Sequence, residues 1–432
     1  MTLYDHYLAA QSQVSTDSRQ PQLGTLFFAL NGPSFRGADF APGALAAGAR
    51  HAVVDDAALA AQDAARYTYA ADPLAALQAL AQEHRRHFQG PVLAITGSNG
   101  KTTTKELLTA VLSEKYHVLA TSGNLNNHIG VPLTLLRLRP QQHELAVVEM
   151  GANHQGEIAA YCQWAMPTHG LITNIGKAHL EGFGSEEGIA KGKGELFAYL
   201  AAHGGTAFVN TLDAKLPALA APVAWRISYP SPTDHYPATL LAANPALRLR
   251  LWEGTEVAAQ LTGEYNFPNM AAAAAVGAHF GVPAARVAAA LAGYNPQNNR
   301  SQLVRTAHGN DLLLDAYNAN PSSMAAALRS FAGRPLAAGQ RRVAILGDMF
   351  ELGDSALAEH RALGELLAEL QLDTALLIGP LLQAAAKAHP AARHFPTKAE
   401  AAAWLTAHPL SGQLVLLKGS RGMGLETLQE LL

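Results

Sequence analysis

Short apolar runs recur along the chain, and most of them end in a polar or glycine-rich turn. In the middle of the chain we predict strands at Val92–Thr96, 117–120, Leu145–Glu149, 170–175 and 207–210. Segments with helical patterns separate these runs. Such alternation predicts a mostly parallel sheet with helices on both faces. Ligands of these sheets gather at the carboxyl ends of the strands, so the polar turns are the first places to look for chemistry.

The first 89 residues have the pattern of a small α/β unit. Strands are predicted at 26–30 and His51–Val54, with a helix at 41–49 between them and another at 74–88. Gln-Gly-Pro at 89–91 breaks the last helix and predicts a domain boundary after residue 89. Arg19 and Arg36 lie in loops at strand ends, where they could hold a phosphate. Composition alone favours the interpretation that Arg19 and Arg36 are ordinary surface arginines without a ligand.

The last part of the chain, from residue 298, has the pattern of a second α/β domain. Strand–loop units are predicted at 311–321, 341–353, 373–379 and 414–422. The sequence therefore divides into 1–89, 90–297 and 298–432. The polar residues at the strand ends of the last segment suggest a ligand-binding face; they are Asp315, Tyr317, Asn318, Asn320, Asp348, Glu351, Lys418, Ser420 and Arg421.

Composition narrows the class of protein. The 432 residues are 49% hydrophobic and 15% charged, which fits a globular protein with large cores. The net charge of −3 gives no bulk electrostatic reason to expect nucleic acid or an anionic membrane as a partner. The one cysteine, Cys162, excludes an internal disulfide and a cysteine metal cluster. The sequence has no membrane-length apolar run and no signal-peptide pattern at Met1, so we expect a cytoplasmic protein.

The stretch VLAITGSNGKTTT, residues 92–104, predicts a phosphate-binding loop between a strand and a helix at Lys101–Ser113. Gly97 and Gly100 allow a tight turn with inward N–H groups, and the helix adds its positive end. Lys101 can reach the β- and γ-phosphates, and the Thr102 hydroxyl can bind Mg²⁺. The strict pattern requires glycine where Ile95 stands. The strand–turn–helix context nevertheless favours nucleoside triphosphate binding over a surface turn with an incidental lysine.

Further polar clusters follow other predicted strands. Glu149 ends an aliphatic run and could bind the Mg²⁺, although a surface or helix-capping glutamate is the alternative. His179 lies in a polar loop after the next strand, where a ligand role is plausible and a structural role is more common. For Lys191 and Lys193, the sequence alone predicts a helix face that is basic and exposed to solvent. Asn269, like Asn266, could read a base edge or cap the Ala-rich helix that follows.

Taken in order, these motifs resemble the Mur ligase family. They are TGSNGKTTT, VVEMGANHQGEI, ITNIGKAHLEGFGS, AKGKGELF, DAYNANPSSM and LGDMFELG. The DSR, LFFAL and FRGADF stretches resemble the family's nucleotide-sugar-binding domain, so the resemblance covers essentially the whole chain. It implies three domains: a small N-terminal α/β domain for UDP-MurNAc-peptide, a central phosphate-loop ATPase, and a C-terminal Rossmann-like α/β domain for the nucleotide and the incoming amine.

The DxYNANP and LGDMxELG motifs indicate the member that joins D-alanyl-D-alanine to UDP-MurNAc-tripeptide for peptidoglycan synthesis. ATP would be split to ADP and phosphate. Matching motifs assign Lys101, His179 and Lys193 to catalysis, and Thr102, Glu149, His179 and Lys193 to Mg²⁺. Lys193 would be the carbamylated lysine, N6-carboxylysine, with Lys191 as the rival. The ATP-binding set is Gly97, Ser98, Asn99, Gly100, Lys101, Thr102, Thr103, Asn269, Arg300, Asp315 and Tyr317. The UDP-substrate set is Ser18, Arg19 and Arg36.

Two other functions stay open at this point. The chain could be another ligase of the family, including the folylpolyglutamate type, with a different amine substrate. It could instead be a nucleotide-dependent switch that binds ATP and a UDP-sugar without joining anything. The many polar strand-end loops in two domains argue against a switch. Nothing in the sequence requires a dimer, and we expect a monomer without nucleic-acid partners or membrane insertion.

Overall fold

The computed structural model describes residues 1–296 and 299–432, which contain four β-sheets. The predicted boundary between residues 297 and 298 lies outside the described residues. The N-terminal sheet is parallel throughout, with strand order β1-β2-β3-β4. Its elements are α1 (Leu3–Ala9), β1 (Val14–Ser15), β2 (Leu26–Phe28), α2 (Ala41–Ala46), β3 (His51–Val54), α3 (Ala57–Gln62), β4 (Tyr67–Tyr69) and α4 (Pro73–Arg86). Strand β2 is shorter than predicted because the chain turns at Leu30, whose N–H donates to the Phe28 carbonyl.

The middle segment carries a six-stranded, fully parallel sheet in the order β10-β9-β8-β5-β7-β6. Its elements are β5 (Val92–Thr96), α5 (Lys101–Ser113), β6 (Val118–Ala120), α6 (Gly130–Leu135), β7 (Leu145–Glu149), α7 (Glu157–Ala165), β8 (His169–Ile172), α8 (Leu180–Phe183), α9 (Glu186–His203), β9 (Thr206–Asn210), α10 (Leu216–Ala220) and β10 (Trp225–Tyr229). The central position of β5 places the loop that follows it in the middle of the sheet's carboxyl edge.

Alternate residues of this sheet supply two separate cores, as the period of a strand requires. On β5, Leu93 and Ile95 pack against α5 and the Ala-rich helix, whereas Val92 and Ala94 face α7 and α9. An antiparallel three-stranded sheet precedes the Ala-rich helix. These remaining elements are β11 (Thr239–Ala242), β12 (Arg248–Arg250), β13 (Glu256–Ala258), α11 (Phe267–His279) and α12 (Ala284–Gly293). Strands β12 and β13 form an antiparallel hairpin, and β11 pairs with the other edge of β12.

The C-terminal segment forms a six-stranded sheet in the order β14-β15-β19-β16-β17-β18. Only β14 runs antiparallel to its neighbour. The elements are β14 (Gln302–Arg305), β15 (Asp311–Asp315), α13 (Pro321–Ala332), β16 (Arg342–Gly347), α14 (Ala356–Leu370), β17 (Thr374–Ile378), α15 (Gln383–Ala388), β18 (Arg393–Phe395), α16 (Lys398–Ala407) and β19 (Leu414–Lys418). Helices cover both faces of this sheet, so the predicted α/β class with mostly parallel sheets is confirmed.

The N-terminal and middle segments share one hydrophobic core, whereas the C-terminal segment has cores of its own. Helix α4 contributes Leu77 and Leu80 to the core that lies under the middle sheet. The Tyr7 hydroxyl donates to the Leu136 carbonyl (2.7 Å), and Arg85 donates to the carbonyls of Ala165 and Met166 at the end of α7. Of the apolar side chains in the described residues, Leu180 alone packs against both a middle core and a C-terminal core. The first two segments therefore form one mechanical unit, and the domain limits at 89 and 297 stay predictions.

No helix within residues 1–296 and 299–432 is both long and apolar enough to span a membrane.

Separate cores predict separate unfolding transitions. Leu77→Ala creates a cavity in the shared core, and Leu328→Ala creates one in a C-terminal core; both side chains are fully buried. Each change costs about 2–5 kcal/mol. In differential scanning calorimetry, Leu77→Ala should lower the transition of the N-terminal and middle unit and leave the C-terminal transition in place. Leu328→Ala should do the reverse. A common shift of one single transition in both variants would contradict this division.

Candidate active site

A cleft of about 860 Å³ lies between the carboxyl ends of the middle strands and those of the C-terminal strands. The middle segment lines it with the loop after β5, Glu149 at the end of β7, and the loop after β8. The C-terminal segment lines it with the loops after β15, β16 and β19. The polar strand-end loops that the sequence predicts in these two segments thus face one another across a single space.

The loop after β5 requires its two glycines. Gly97 and Gly100 have φ angles of +143° and +78°. A Cβ at Gly97 would lie 1.9 Å from Thr173 Oγ1, and one at Gly100 would lie 2.6 Å from Asn269 Oδ1. Helix α5 starts at Lys101 without a side-chain cap. Its first N–H groups and positive end are therefore directed at the cleft, which suits a phosphate anion.

Lys101 folds back over this loop. Its Nζ donates to the carbonyls of Gly97 (2.7 Å) and Ser98 (3.2 Å). Burial lowers the pKa of Lys101 to about 8, while nearby Glu149 acts in the opposite direction. A phosphate group would offer this amine a stronger partner than the two carbonyls.

Glu149 and Thr102 form a pair of oxygen ligands beside the loop. Glu149 is fully buried, which rules out the alternative of a surface glutamate. Its Oε1 accepts from Thr102 Oγ1 (3.0 Å) and from Asn126 Nδ2 (2.8 Å). Its Oε2 is buried without a hydrogen-bond partner in the described residues. A buried carboxylate oxygen without a partner, next to a hydroxyl, fits a hard cation such as Mg²⁺, which prefers oxygen ligands.

Lys193 is fully buried on α9, and Lys191 is exposed on the same helix. The solvated basic face predicted from sequence is thus correct for Lys191 and wrong for Lys193, because Lys193 points inward. No hydrogen bond reaches its Nζ in the part of the chain that the structure describes, and the Phe183 ring lies 5.2 Å away. Burial, followed by the charge of Lys101, holds the pKa of Lys193 well below its usual range. A neutral, unpartnered amine is the form that reacts with CO₂, so the residue fits N6-carboxylysine.

His179 contacts the C-terminal segment. It has a φ of +55°, and its Nδ1 lies 2.5 Å from Oε2 of Glu351, which follows β16. The contact with His179 holds the pKa of the Glu351 carboxyl below its usual value. Among residues 1–296 and 299–432, no three His, Cys, Asp or Glu side chains cluster as a metal site. The structure thus pairs Thr102 with Glu149, and no described hydrogen bond joins that pair to His179 or Lys193.

The expected adenosine-side residues lie on the same cleft. Asn269 Oδ1 accepts from Thr104 Oγ1 (3.1 Å) and packs against Gly100. Its place inside α11 shows that it does not cap this helix. The guanidinium of Arg300 stacks over the Tyr317 ring at 3.6 Å. Asp315 accepts from the Ser301 N–H (3.1 Å) and from Lys418 Nζ (2.7 Å), so its carboxylate also supports the fold.

The N-terminal candidates lie outside this cleft. Arg19 is exposed and pairs with Asp17 at 2.8 Å, and its hydrogen bonds lower the pKa of Asp17 to about 2. Arg36 lies 3.5 Å from Asp56. The structure places Ser18 next to Arg19 in the loop after β1 and does not bring these residues to the phosphate loop.

Three contributors were not assigned a site role from sequence. Asn126 orients Glu149, Phe183 covers Lys193, and Asn174 holds the phosphate loop through its carbonyl and its side chain. Asn126 belongs to the asparagine-rich stretch at 124–127 after β6, and this strand-end signal could have pointed to it. The contact between Phe183 and Lys193 joins two helices and has no signal in the sequence.

The fold and the cleft define a class of protein: an α/β protein whose phosphate-loop-like turn after β5 faces a second α/β segment across one cleft. The sequence matches the Mur ligase catalytic domain at residues 12–86, the Mur ligase middle domain at 95–277, and the Mur ligase glutamate ligase domain at 299–421. The chain belongs to the Mur ligase family.

Individual relatives agree over the full length. The UDP-N-acetylmuramoyl-tripeptide–D-alanyl-D-alanine ligase of Escherichia coli K12 is 36% identical over 96% of this chain and 92% of its own. The crystal structure of MurF from Acinetobacter baumannii is 33% identical, with a TM-score of 0.87 over 100% of this chain and 98% of that chain. MurF from Thermotoga maritima, solved in complex with ADP, is 25% identical with a TM-score of 0.86 over the same shares.

The Asp315–Lys418 pair predicts a stability effect beside any effect on nucleotide binding. Lys418 is only 3% exposed, so Asp315→Asn leaves a buried cation without its counter-charge. We expect a loss of about 3 kcal/mol from the C-terminal segment in urea unfolding. The double variant Asp315→Asn with Lys418→Met removes the unpaired charge and should recover most of that loss. Equal stability of wild type and Asp315→Asn would show that the pair contributes nothing.

Proposed function

We propose that this chain is an ATP-dependent ligase that adds D-alanyl-D-alanine to UDP-N-acetylmuramoyl-tripeptide. The product would be the UDP-MurNAc-pentapeptide used for peptidoglycan, and hence for cell-wall growth, cell shape and division. The observation that carries the proposal is the phosphate loop facing a second α/β domain across one cleft, in a chain that matches such ligases over its full length. A family ligase with another amine substrate is not favoured, because the full-length relatives bear the D-alanyl-D-alanine name.

The cleft suits carboxylate activation by phosphoryl transfer. A carboxylate is a poor electrophile, so one of its oxygens attacks the γ-phosphorus of ATP, and ADP leaves. The amine then attacks the acyl carbon, and phosphate leaves with that carboxylate oxygen. Two anions meet in the first step, and Lys101, Arg300 and the N–H groups of the loop offset their charge. Mg²⁺, held by Thr102 and Glu149 with His179 nearby, would supply further charge neutralisation.

We assign the carboxylysine to Lys193. Its neutral amine would add to CO₂ and release one proton, which replaces a buried cation with an anion. The site supports this because Nζ is buried, lies near Lys101, and has no hydrogen-bond partner in the described residues. An anion at this point would attract Lys101 and could serve the metal, which explains a fully buried lysine beside a phosphate site.

Water must be kept from the acyl phosphate, so the cleft should close before chemistry and open for release. The separate cores of the C-terminal segment support movement of this segment against the rest.

For the remote end of the substrate, we propose that Ser18, Arg19 and Arg36 hold the UDP moiety in an N-terminal domain of residues 1–89. We propose that the protein is a monomer that acts in the cytoplasm, where ATP is available.

The reaction predicts phosphate release that requires both substrates. With ATP and Mg²⁺, release should depend on UDP-MurNAc-tripeptide together with D-alanyl-D-alanine, and mass spectrometry should identify the pentapeptide. Lys101→Ala should lower turnover by about 10²–10³-fold, because it removes a cation at the transferred phosphate. Lys191→Ala removes an exposed lysine and serves as the control with wild-type turnover. Phosphate release without the dipeptide, or unchanged turnover in Lys101→Ala, would contradict the assignment.

The carbamate can be tested apart from activity. Protein equilibrated with ¹³C-bicarbonate should show one carbamate carbon resonance by NMR. Lys193→Gln should abolish this resonance, and Lys191→Gln should retain it, because Lys193 is buried without a hydrogen-bond partner in the described residues and Lys191 is exposed. A resonance that survives Lys193→Gln would assign the modification elsewhere.

A further inference from the structure

Asn320 at the start of α13 makes hydrogen bonds in two directions. Its Oδ1 accepts from the Ser323 N–H (2.9 Å), which caps the helix in the C-terminal segment. Its Nδ2 donates to Oδ1 of Asn99 (2.8 Å), which belongs to the phosphate loop of the middle segment. One side chain therefore fixes the end of a C-terminal helix and contacts the loop expected to bind ATP.

The backbone of Asn99 is hydrogen-bonded to the middle segment, and its side chain is hydrogen-bonded to the C-terminal segment. Its backbone N–H donates to Asn174 Oδ1 (3.1 Å), and its carbonyl accepts from Thr173 Oγ1 (2.6 Å) and Asn174 Nδ2 (3.0 Å). These bonds lie within the middle segment. The hydrogen bond of its side chain crosses to Asn320. The backbone of the loop is thus fixed locally, and its Asn99 side chain is oriented by the C-terminal segment.

The same turn of α13 makes a second contact across the cleft. Ser322 Oγ accepts from the Lys177 N–H (2.9 Å) and lies close to Gly176, where a Cβ would be only 2.8 Å away. Lys177 also pairs with Glu359 on α14 at 2.6 Å. These contacts are polar, and the two segments share little apolar surface. They can therefore form and break as the C-terminal segment docks and leaves.

We propose that Asn320 is a positioning residue that couples docking of the C-terminal segment to the orientation of the Asn99 side chain on the phosphate loop. The inference rests on the proposed nucleotide site at that loop. Docking orients this side chain for ATP, and by thermodynamic reciprocity bound ATP favours the docked arrangement. Asn320 need not touch the nucleotide for this effect.

The discriminating change is Asn320→Ser. Serine caps helices as well as asparagine does, but it is too short to reach Asn99. Binding of the non-hydrolysable analogue Mg-AMPPNP, measured by calorimetry, should weaken about three- to tenfold, as expected for one lost hydrogen bond. The melting temperature should stay unchanged. Asn320→Ala removes the cap as well, so it should show the same weaker binding and a melting temperature about 2–4 °C lower.

Two further variants separate coupling through Asn99 from general loosening of the interface. In an Asn99→Ala background, Asn320→Ser should have no further effect on the Kd, because its partner is gone. Glu359→Gln weakens a different cross-segment contact and should leave the Kd within about twofold of wild type. In ligation assays, Asn320→Ser should raise the KM for ATP more than it lowers kcat.

Three outcomes would overturn the inference even if the nucleotide site is correct. They are an unchanged Kd in Asn320→Ser, additive effects of Asn99→Ala and Asn320→Ser, and an equal loss in Glu359→Gln. Lys101→Ala separates this failure from failure of the nucleotide site. If Lys101→Ala binds Mg-AMPPNP as tightly as wild type, the nucleotide site itself is misplaced and the inference is overturned with it.

Discussion

The cleft must bring a carboxylate and a triphosphate together without water, and it must also open to exchange them. The first requirement explains the buried ionisable groups around the loop after β5, where Lys101 lies near both Glu149 and Lys193. The second explains why the C-terminal segment keeps separate cores and meets the middle segment mainly through polar side chains. A large apolar interface would close the cleft more firmly, but it would also hold it closed.

Three buried ionisable side chains of the site lack a full set of hydrogen-bond or charge partners within the protein, and a ligand could supply the missing ones. Among the described residues, Lys101 Nζ donates only to two carbonyls, Glu149 Oε2 has no hydrogen-bond partner, and neither has Lys193 Nζ. Burial of such groups costs free energy, which the packed strands β5 and β7 and helix α9 offset elsewhere. Mg²⁺, a phosphate and a carbamate would satisfy these three side chains. The unsatisfied groups of the site therefore indicate which ligands it binds.

The elements whose pattern is local were predictable from sequence. Helix α5 begins and ends where its pattern indicates, and β3, β5 and β7 have the expected bounds, because an apolar run between turn residues leaves little choice of register. The antiparallel strand β14 and the inward orientation of Lys193 were not predicted. The direction of β14 and the orientation of Lys193 both depend on tertiary packing. A lysine among small residues has the same local sequence pattern whether it faces water or a core. The contact between Asn99 and Asn320 depends on the packing of two segments and has no local signature.

The central claim is that this cleft couples ATP cleavage to activation of the peptide carboxylate. The most direct test uses UDP-MurNAc-tripeptide with ¹⁸O in the reacting carboxylate. Ligation with unlabelled ATP and D-alanyl-D-alanine should deliver one ¹⁸O atom into each phosphate released and leave one in the new amide, as mass spectrometry can show. Phosphate released with no ¹⁸O while pentapeptide forms would mean that the carboxylate is not phosphorylated, and that the cleft joins the two substrates by a different route.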